Sequence, residues 1–227
     1  MTPSVLTMKK ITCFIIPFLL ITAACRNNST AINQPSNSIQ AQTVAIIDTI
    51  SSTASFALKL SAAALSLTND KVEYDPAYFS IKYPNGDVPG DKGVCTDVVI
   101  RAYRKLGIDL QKAVHEDMAA HFSIYPKTWG LKKTDTNIDH RRVPNLMTFF
   151  SRHGKKKPIS QISGDYQSGD IVTWNLEGNL THVGIVVNKL SDDKQRYLIV
   201  HNIGRGQELS DCLFEYVITG HYSYGGN

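Results

Sequence analysis

Residues 169–187 are Gly-Asp-Ile-Val-Thr-Trp-Asn-Leu-Glu-Gly-Asn-Leu-Thr-His-Val-Gly-Ile-Val-Val, and this stretch decides the fold. Two runs of β-branched and apolar residues, 170–174 and 180–187, flank the turn-forming Glu-Gly-Asn at 177–179. Two such runs around a short turn predict an antiparallel hairpin. The further β-rich runs 196–203 and 213–218 extend the prediction to a sheet of four strands in the last third of the chain.

The chain before the hairpin has helical periodicity. Apolar side chains spaced by three and four residues predict helices over 44–68, 98–106, 110–122 and 144–154. Gly107 is placed to stop the second of these helices, and Pro144 opens the fourth. The polar, turn-rich residues 124–142 predict an irregular segment, and the three lysines at 155–157 predict a solvated turn. Helices followed by an antiparallel sheet predict an α+β fold.

Cys95 lies in Gly-Val-Cys-Thr-Asp at 93–97, directly ahead of the second predicted helix. A thiol at a helix N-terminus faces the positive end of the helix macrodipole, which favours the thiolate. Unpaired backbone N–H groups at that end can also hold an oxyanion. Position and chemistry therefore predict a nucleophile, and the alternative is a buried structural cysteine.

His182 and His201 lie on neighbouring predicted strands. Period-two alternation places His182 on one face with Gly184 and Val186, and His201 follows in the next run. Adjacent strands are about 4.8 Å apart, so two histidines in register can touch. A nucleophile, a base and a residue that orients the base form a triad. The order Cys95, His182, His201 predicts such a triad, and the alternative is a pair of core or surface histidines.

A metal site is the competing interpretation of the same residues. Cys95, His182 and His201 are possible zinc ligands, as are Asp139 and His140. The chain contains neither His-Glu-x-x-His nor Cys-x-x-Cys, the spacings that would support zinc. We therefore expect neither a metal nor another cofactor.

The order of these motifs resembles the NlpC/p60 cell-wall cysteine peptidases, compact relatives of papain. Their histidine strand typically has His-Val-Gly-Ile, as at 182–185, after a Gly-Asp-Ile-Val strand, as at 169–172. Their third residue is often histidine, which corresponds to His201. The usual Asp-Cys-Ser-Gly is Val-Cys-Thr-Asp at 94–97, so the substrate pocket is expected to differ. The resemblance implies a papain-like α+β fold in which N-terminal helices pack on a C-terminal antiparallel sheet.

Longer motifs identify the chain as a member of domain-of-unknown-function family 1287. They are Tyr-Asp-Pro-Ala-Tyr at 74–78, Gly-Val-Cys-Thr-Asp-Val-Val-Ile-Arg at 93–101, Asp-His-Arg-Arg-Val-Pro-Asn-Leu at 139–146, His-Asn-Ile-Gly at 201–204 and Gly-His-Tyr at 220–222. They extend over most of the chain that follows the N-terminal segment. Membership implies a papain-like fold without fixing a substrate.

Six residues outside the triad are candidates for substrate binding: Tyr83, Asp97, Asp139, His140, Arg141 and Arg142. Asp97 lies in the first turn of a helix, where a carboxylate caps N–H groups or binds a substrate amine. Arg141 and Arg142 either clamp a substrate carboxylate or hold the long loop to the domain. Tyr83 resembles the tyrosine that lines the site in NlpC/p60 enzymes.

The N-terminus has the pattern of an export signal. Lys9 and Lys10 precede the apolar run 11–21, and Thr-Ala-Ala then leads to Cys25. The small residues before Cys25 resemble the lipobox of bacterial lipoproteins, in which the cysteine is acylated, and the alternative is simple cleavage nearby. Arg26, rather than Asp, follows, which implies the outer membrane. We expect a signal peptide at 1–24, a lipidated tether at 25–43 and a papain-like domain at 44–227.

Composition excludes several classes of protein. The 227 residues are 42% hydrophobic and 19% charged, with a net charge of +4, which disfavours a nucleic-acid binder. Four cysteines are too few for a disulfide scaffold, and Cys212 is expected to be buried. We expect an envelope hydrolase that acts on peptidoglycan peptide stems and contacts the membrane through Cys25. The alternatives are a cysteine hydrolase or acyltransferase on lipid or small amides, and a non-catalytic binding module.

Overall fold

The computed structural model describes residues 55–225, except for the side chain of Asn179. The expected signal peptide, the tether with Cys25, and positions 44–54 of the first predicted helix lie outside these residues. The described part has four α-helices: α1 (Phe56–Leu67), α2 (Cys95–Lys105), α3 (Leu110–Ala120) and α4 (Val143–His153). Within residues 55–225, no helix has the length and apolar content needed to cross a bilayer.

Local signals place the ends of these helices. The side chain of Asp109 accepts the backbone N–H of Lys112 at the start of α3. Gly107 follows α2 with a φ of +79°, a conformation that glycine adopts without a steric penalty. Pro144 lies in the first turn of α4, where its missing N–H would have no helical partner. The predicted helix boundaries in this region are therefore confirmed to within a few residues.

Eight strands form two sheets among the described residues. A parallel pair joins β1 (Glu73–Tyr74) to β2 (Lys92–Gly93). The antiparallel sheet contains β3 (Lys155–Lys156), β4 (Ile171–Asn175), β5 (Thr181–Leu190), β6 (Tyr197–His201), β7 (Glu208–Ser210) and β8 (Val217–Ser223). Its spatial order is β3-β8-β4-β5-β6-β7. The α+β class, with helices preceding an antiparallel sheet, is confirmed, and so is the β4–β5 hairpin.

Two sequence predictions in the sheet are wrong. The run 213–218 was expected to form the fourth strand, but Leu213 lies in a turn and the strand begins only at Val217. Leu213 is nevertheless fully buried, because its side chain packs in the core without strand pairing. The lysine segment expected to form a turn is instead strand β3, although both of its lysines are exposed as expected. Lys157, which follows it, forms an ion pair with the buried Asp170.

Apolar side chains cover both faces of the sheet. Val183 and Ile185 of β5 belong to the same core cluster as residues of the four helices. Val186 belongs to a second cluster, which contains Trp174. Gly184 allows β6 to approach β5, since a Cβ at this position would lie 2.6 Å from Cγ2 of Ile199. The close approach of these two strands brings their histidines together.

Candidate active site

Cys95 is the first residue of α2. The preceding residue, Val94, donates its backbone N–H to the Asp97 carboxylate over 2.8 Å, which fixes the first turn of the helix. The carbonyl of Gly93 accepts a hydrogen bond of 3.1 Å from the buried Asn202, just after β6. The helix start is thus tied to the end of a sheet strand, and this contact holds Cys95 against the sheet.

The Cys95 sulfur is surrounded by backbone N–H groups. Cys95 is only 8% exposed, and burial is the main cause that raises the pKa of its thiol, to about 12. The N–H groups of Val183, Thr96 and Cys95 itself oppose this effect, whereas the charge of Asp97 adds to it. In this state the thiol is therefore protonated, in contrast to the activated thiolate that the helix N-terminus alone predicts.

His182 and His201 form a direct hydrogen bond. Nε2 of His182 lies 3.0 Å from Nδ1 of His201, and the two rings meet edge to face. Burial lowers the pKa of His182 to about 3 and that of His201 to about 4, so both rings are neutral at pH 7. His182 directly precedes Val183, whose backbone N–H contacts the Cys95 sulfur. The strand that carries His182 therefore passes beside Cys95. The His182 ring packs near Trp174, with centroids 5.9 Å apart, and its Nδ1 is the ring nitrogen not used by His201.

Two residues contact the far side of His201. Its Nε2 lies 2.8 Å from Oγ of Ser210 and 3.5 Å from Sγ of Cys212. Cys212 is buried as expected, and both it and Cys95 are free thiols. Sequence reasoning missed Ser210, because its only signal is the pairing of β7 with β6, and β7 was not predicted.

A cavity of about 310 Å³ opens beside Cys95. Three aromatic side chains contribute to its wall: Tyr74, Tyr78 and Trp129. Trp129 is 58% exposed and comes from the irregular segment before α4. Thr181, the neighbour of His182, also lines the cavity. The cavity therefore joins the nucleophile candidate to the strand that carries the base candidate.

Arg141 and Arg142 both line this cavity, but their environments differ. Arg141 is held by Asp97 through two hydrogen bonds of 2.9 and 3.0 Å, and it also donates to the carbonyl of Ala77. The guanidinium of Arg142 instead lies 4.0 Å from the ring centroid of Trp129, a cation–π contact. Arg141 is thus occupied by a buried ion pair, whereas Arg142 carries its charge into the cavity.

The other predicted substrate-binding residues do not line the cavity. Asp97 is only 2% exposed and serves as the partner of Arg141 and the cap of α2. Asp139 is fully buried and accepts hydrogen bonds from His115 and from the backbone of Asp135. Its contacts hold the long loop to the domain, which is the structural alternative to substrate binding for this segment.

His140 and Tyr83 also lie away from the cavity. His140 is 2% exposed, and burial is the main cause that lowers its pKa to about 3. The ring of Tyr83 packs edge-on against His115, with centroids 5.2 Å apart. Across residues 55–225, no group of three or more His, Cys, Asp and Glu side chains is arranged to hold a metal ion.

Comparison with known proteins places the chain among uncharacterised relatives. A family model described as "Domain of unknown function (DUF1287)" matches residues 61–224. The uncharacterized protein YijF of Escherichia coli strain K12 is 55% identical over 151 residues, which cover 66% of this chain and 73% of YijF.

Two solved structures are similar to parts of this chain. NlpC1 from Trichomonas vaginalis is 15% identical with a TM-score of 0.41, and the match covers 75% of this chain but 45% of NlpC1, so the chain spans about half of its length. An N-acetylmuramoyl-L-alanine amidase from Bacteroides uniformis is 13% identical with a TM-score of 0.44, over 73% of this chain and 96% of the amidase. Since the family model extends over most of the sequence, as the motifs predicted, the chain belongs to the DUF1287 family.

Proposed function

We propose that this protein is a cysteine hydrolase of the bacterial cell envelope that cleaves amide bonds in the peptide stems of peptidoglycan. One observation carries the proposal: a cysteine at the first position of a helix lines a cavity next to a strand whose histidine is hydrogen-bonded to a second histidine. The motif resemblance to NlpC/p60 peptidases supports the substrate class. Cys95 is then the nucleophile, His182 the base, and His201 the residue that orients the base.

The proposed reaction has two halves. In the first, Cys95 gives its proton to Nδ1 of His182 while the sulfur attacks the amide carbonyl carbon. Backbone N–H groups at the start of α2 stabilise the oxyanion. His182 passes the proton to the leaving amine, the C–N bond breaks, and a thioester remains on Cys95. In the second half, water gives a proton to His182 and attacks the thioester, which releases a carboxylic acid and restores the thiol.

Because Cys95 and His182 are both neutral before reaction, the proton moves during attack on the substrate. Removal of the base should therefore slow the chemical step more than it weakens substrate binding.

The charge of Arg142 supports a substrate that carries a carboxylate close to the scissile amide. Peptide stems contain such carboxylates, and an arginine can bind one through two parallel hydrogen bonds. Arg142 has the appropriate position, since it lines the same cavity as Cys95 and stacks on Trp129. Arg141 is excluded from this role, because its guanidinium is already paired with Asp97.

We also propose that residues 1–24 direct export and that an acylated Cys25 anchors the protein in the periplasmic leaflet of the outer membrane. The basic start, the apolar run and the small residues before Cys25 support this location. A Cys25→Ser variant should move from the membrane fraction to the soluble periplasmic fraction. If it still fractionates with membranes, lipidation is not the anchor.

The protonated Cys95 thiol favours one second candidate, a binding module that keeps the fold without turnover. Burial holds the pKa of this thiol at about 12, far above the value expected of an activated nucleophile. In that case, the cavity would retain a peptide stem without cleaving it.

The decisive experiment incubates the purified protein with sacculi and identifies the released fragments by mass spectrometry. The wild type should release stem fragments cut at an amide bond, and Cys95→Ala should release none. His182→Ala, which removes the proposed base, should release fragments more slowly than the wild type. His121→Ala is its matched control, because His121 is a partly exposed histidine that is paired with Asp117 and does not line the cavity. Unchanged release by Cys95→Ala would refute the hydrolase, and binding without release would support the second candidate.

A further inference from the structure

The far nitrogen of His201 has a polar partner that the proposed mechanism does not yet use. Nε2 of His201 lies 2.8 Å from Oγ of Ser210, the last residue of β7. Antiparallel pairing of β6 with β7 sets this contact, with Ile199 opposite Ser210 and His201 opposite Glu208. Together with the contact between the two histidines, it forms a continuous chain of hydrogen bonds from His182 through His201 to Ser210.

Protons can be arranged along this chain in two directions, because each neutral imidazole carries one ring proton. In the first arrangement, Nε2–H of His182 donates to Nδ1 of His201, and His201 directs its own Nε2–H at Ser210. Nδ1 of His182 is then unprotonated and can accept a proton from Cys95. In the reverse arrangement, the Ser210 hydroxyl donates to Nε2 of His201, and Nδ1–H of His201 donates to Nε2 of His182. The proton of His182 then lies on Nδ1 and blocks this transfer.

Transfer of the proton from Cys95 leaves only the first arrangement possible. A protonated His182 carries hydrogen on both ring nitrogens, so Nδ1 of His201 must accept and its proton must lie on Nε2. This N–H lies in a buried site, where an unpaired donor is unfavourable. The hydroxyl oxygen of Ser210 is the acceptor at 2.8 Å, whereas the sulfur of Cys212 is a weaker acceptor at 3.5 Å.

We propose that Ser210 is a positioning residue whose hydroxyl oxygen accepts the Nε2–H of His201 in the arrangement that lets His182 take the proton of Cys95. The inference rests on the proposed function and deepens it. Ser210 acts through His201 and has no role in contacting the substrate. Its hydrogen bond strengthens when His182 becomes charged, so it stabilises the transition state more than the resting state.

The surroundings of His201 also affect its pKa. Burial has the largest effect on the pKa of His201 and lowers it, whereas the charge of Glu208 raises this pKa and that of Arg205 lowers it further. Burial also raises the pKa of Cys212 to about 12, so this neighbour is a neutral thiol. A Ser210 substitution leaves these groups in place and removes only the oxygen acceptor.

The test measures Cys95 itself, without a substrate. Full-length protein is treated with iodoacetamide across pH 6 to 9, and alkylation of the Cys95 peptide is followed by mass spectrometry. His182→Ala gives the rate without base assistance. Ser210→Ala should slow Cys95 alkylation roughly tenfold at pH 7, as expected for loss of a hydrogen bond to a group that becomes charged. Ser210→Thr, which keeps the hydroxyl, should restore most of the rate.

Two outcomes separate this inference from the proposed function. If His182→Ala and wild type alkylate Cys95 equally fast, His182 is not the base and the proposed mechanism fails. If His182→Ala is slower while Ser210→Ala matches the wild type over the whole pH range, only the role of Ser210 is overturned. Alkylation of the buried Cys212 in the same digest reports any opening of the fold caused by the substitution.

A measurement on the wild type keeps the inference falsifiable if Ser210→Ala fails to fold. Nitrogen-15 NMR of the histidine rings should find His201 protonated on Nε2 and unprotonated on Nδ1 at pH 7. A proton on Nδ1 of His201 would overturn the inference.

Discussion

The ion pair between Asp97 and Arg141 gives the sharpest prediction about stability. Both side chains are nearly inaccessible, at 3% and 2% exposure, and two hydrogen bonds of 2.9 and 3.0 Å join them. Replacing Asp97 with Ala leaves the Arg141 charge buried without its partner, which typically costs about 3–5 kcal/mol. It also removes the acceptor for the Val94 N–H, worth about 1 kcal/mol as a helix cap. We therefore expect Asp97→Ala to lower the free energy of unfolding by about 4–6 kcal/mol.

Urea unfolding followed by tryptophan fluorescence measures this change, and a double-mutant cycle identifies its cause. Arg141→Met alone should cost about 3–5 kcal/mol, since it leaves the Asp97 carboxylate buried without its partner. Asp97→Ala combined with Arg141→Met should cost much less than the sum, because neither charge is then left behind. Asp97→Asn is the matched control, because it keeps the side-chain shape and an acceptor for Val94. Additive losses in the double variant, or a loss below about 1 kcal/mol for Asp97→Ala, would refute the reasoning.

Three further predictions concern the β5–β6 strand pair, the buried His140 and the cavity beside Cys95. Gly184→Ala should lower the free energy of unfolding by about 1–3 kcal/mol, because its Cβ would lie 2.6 Å from Cγ2 of Ile199; an unchanged Tm would contradict this. The pKa of His140 is lowered to about 3, so below pH 6.5 the unfolded state binds a proton that the folded state does not, and stability falls as pH falls. His140→Gln should reduce this slope by about 1.4 kcal/mol per pH unit between pH 6 and 4 in urea titrations, and an unchanged slope would mean that folded His140 is charged. Arg142→Met should raise KM about tenfold for stem peptides with a free carboxylate but leave their amidated forms unaffected, and equal effects on both would exclude a carboxylate contact.

Local patterns in the sequence were sufficient for most secondary structure. Two β-rich runs around a short turn predicted the β4–β5 hairpin, and the positions of Gly107 and Pro144 predicted where helices end and begin, because caps and turns depend on only a few neighbouring residues. The wrong fourth strand has a physical cause as well. An apolar run indicates burial, and Leu213 is buried in a turn rather than in a strand.

The candidate site also has some features that local sequence predicts and others that depend on the folded structure. The helix start at Cys95 and the histidines on adjacent strands were predictable, since each depends on a local motif or on strand alternation. The protonation of Cys95 was not, because the macrodipole acts within one helix whereas burial depends on everything packed around the sulfur. Arg141 and Arg142 are adjacent and chemically identical, and only their distant partners, Asp97 and Trp129, distinguish them.

The sequence by itself determined the family, the α+β order of elements and the identity of the candidate nucleophile and histidine pair. Only the tertiary structure decided which arginine is available in the cavity, that both candidate reactive groups are neutral, and that Ser210 contacts His201. The physical reason is the separation along the chain of the residues that interact. Capping, turns and alternation act over a few residues, whereas desolvation, ion pairing and the register of β6 against β7 depend on groups that are brought together only when the chain folds.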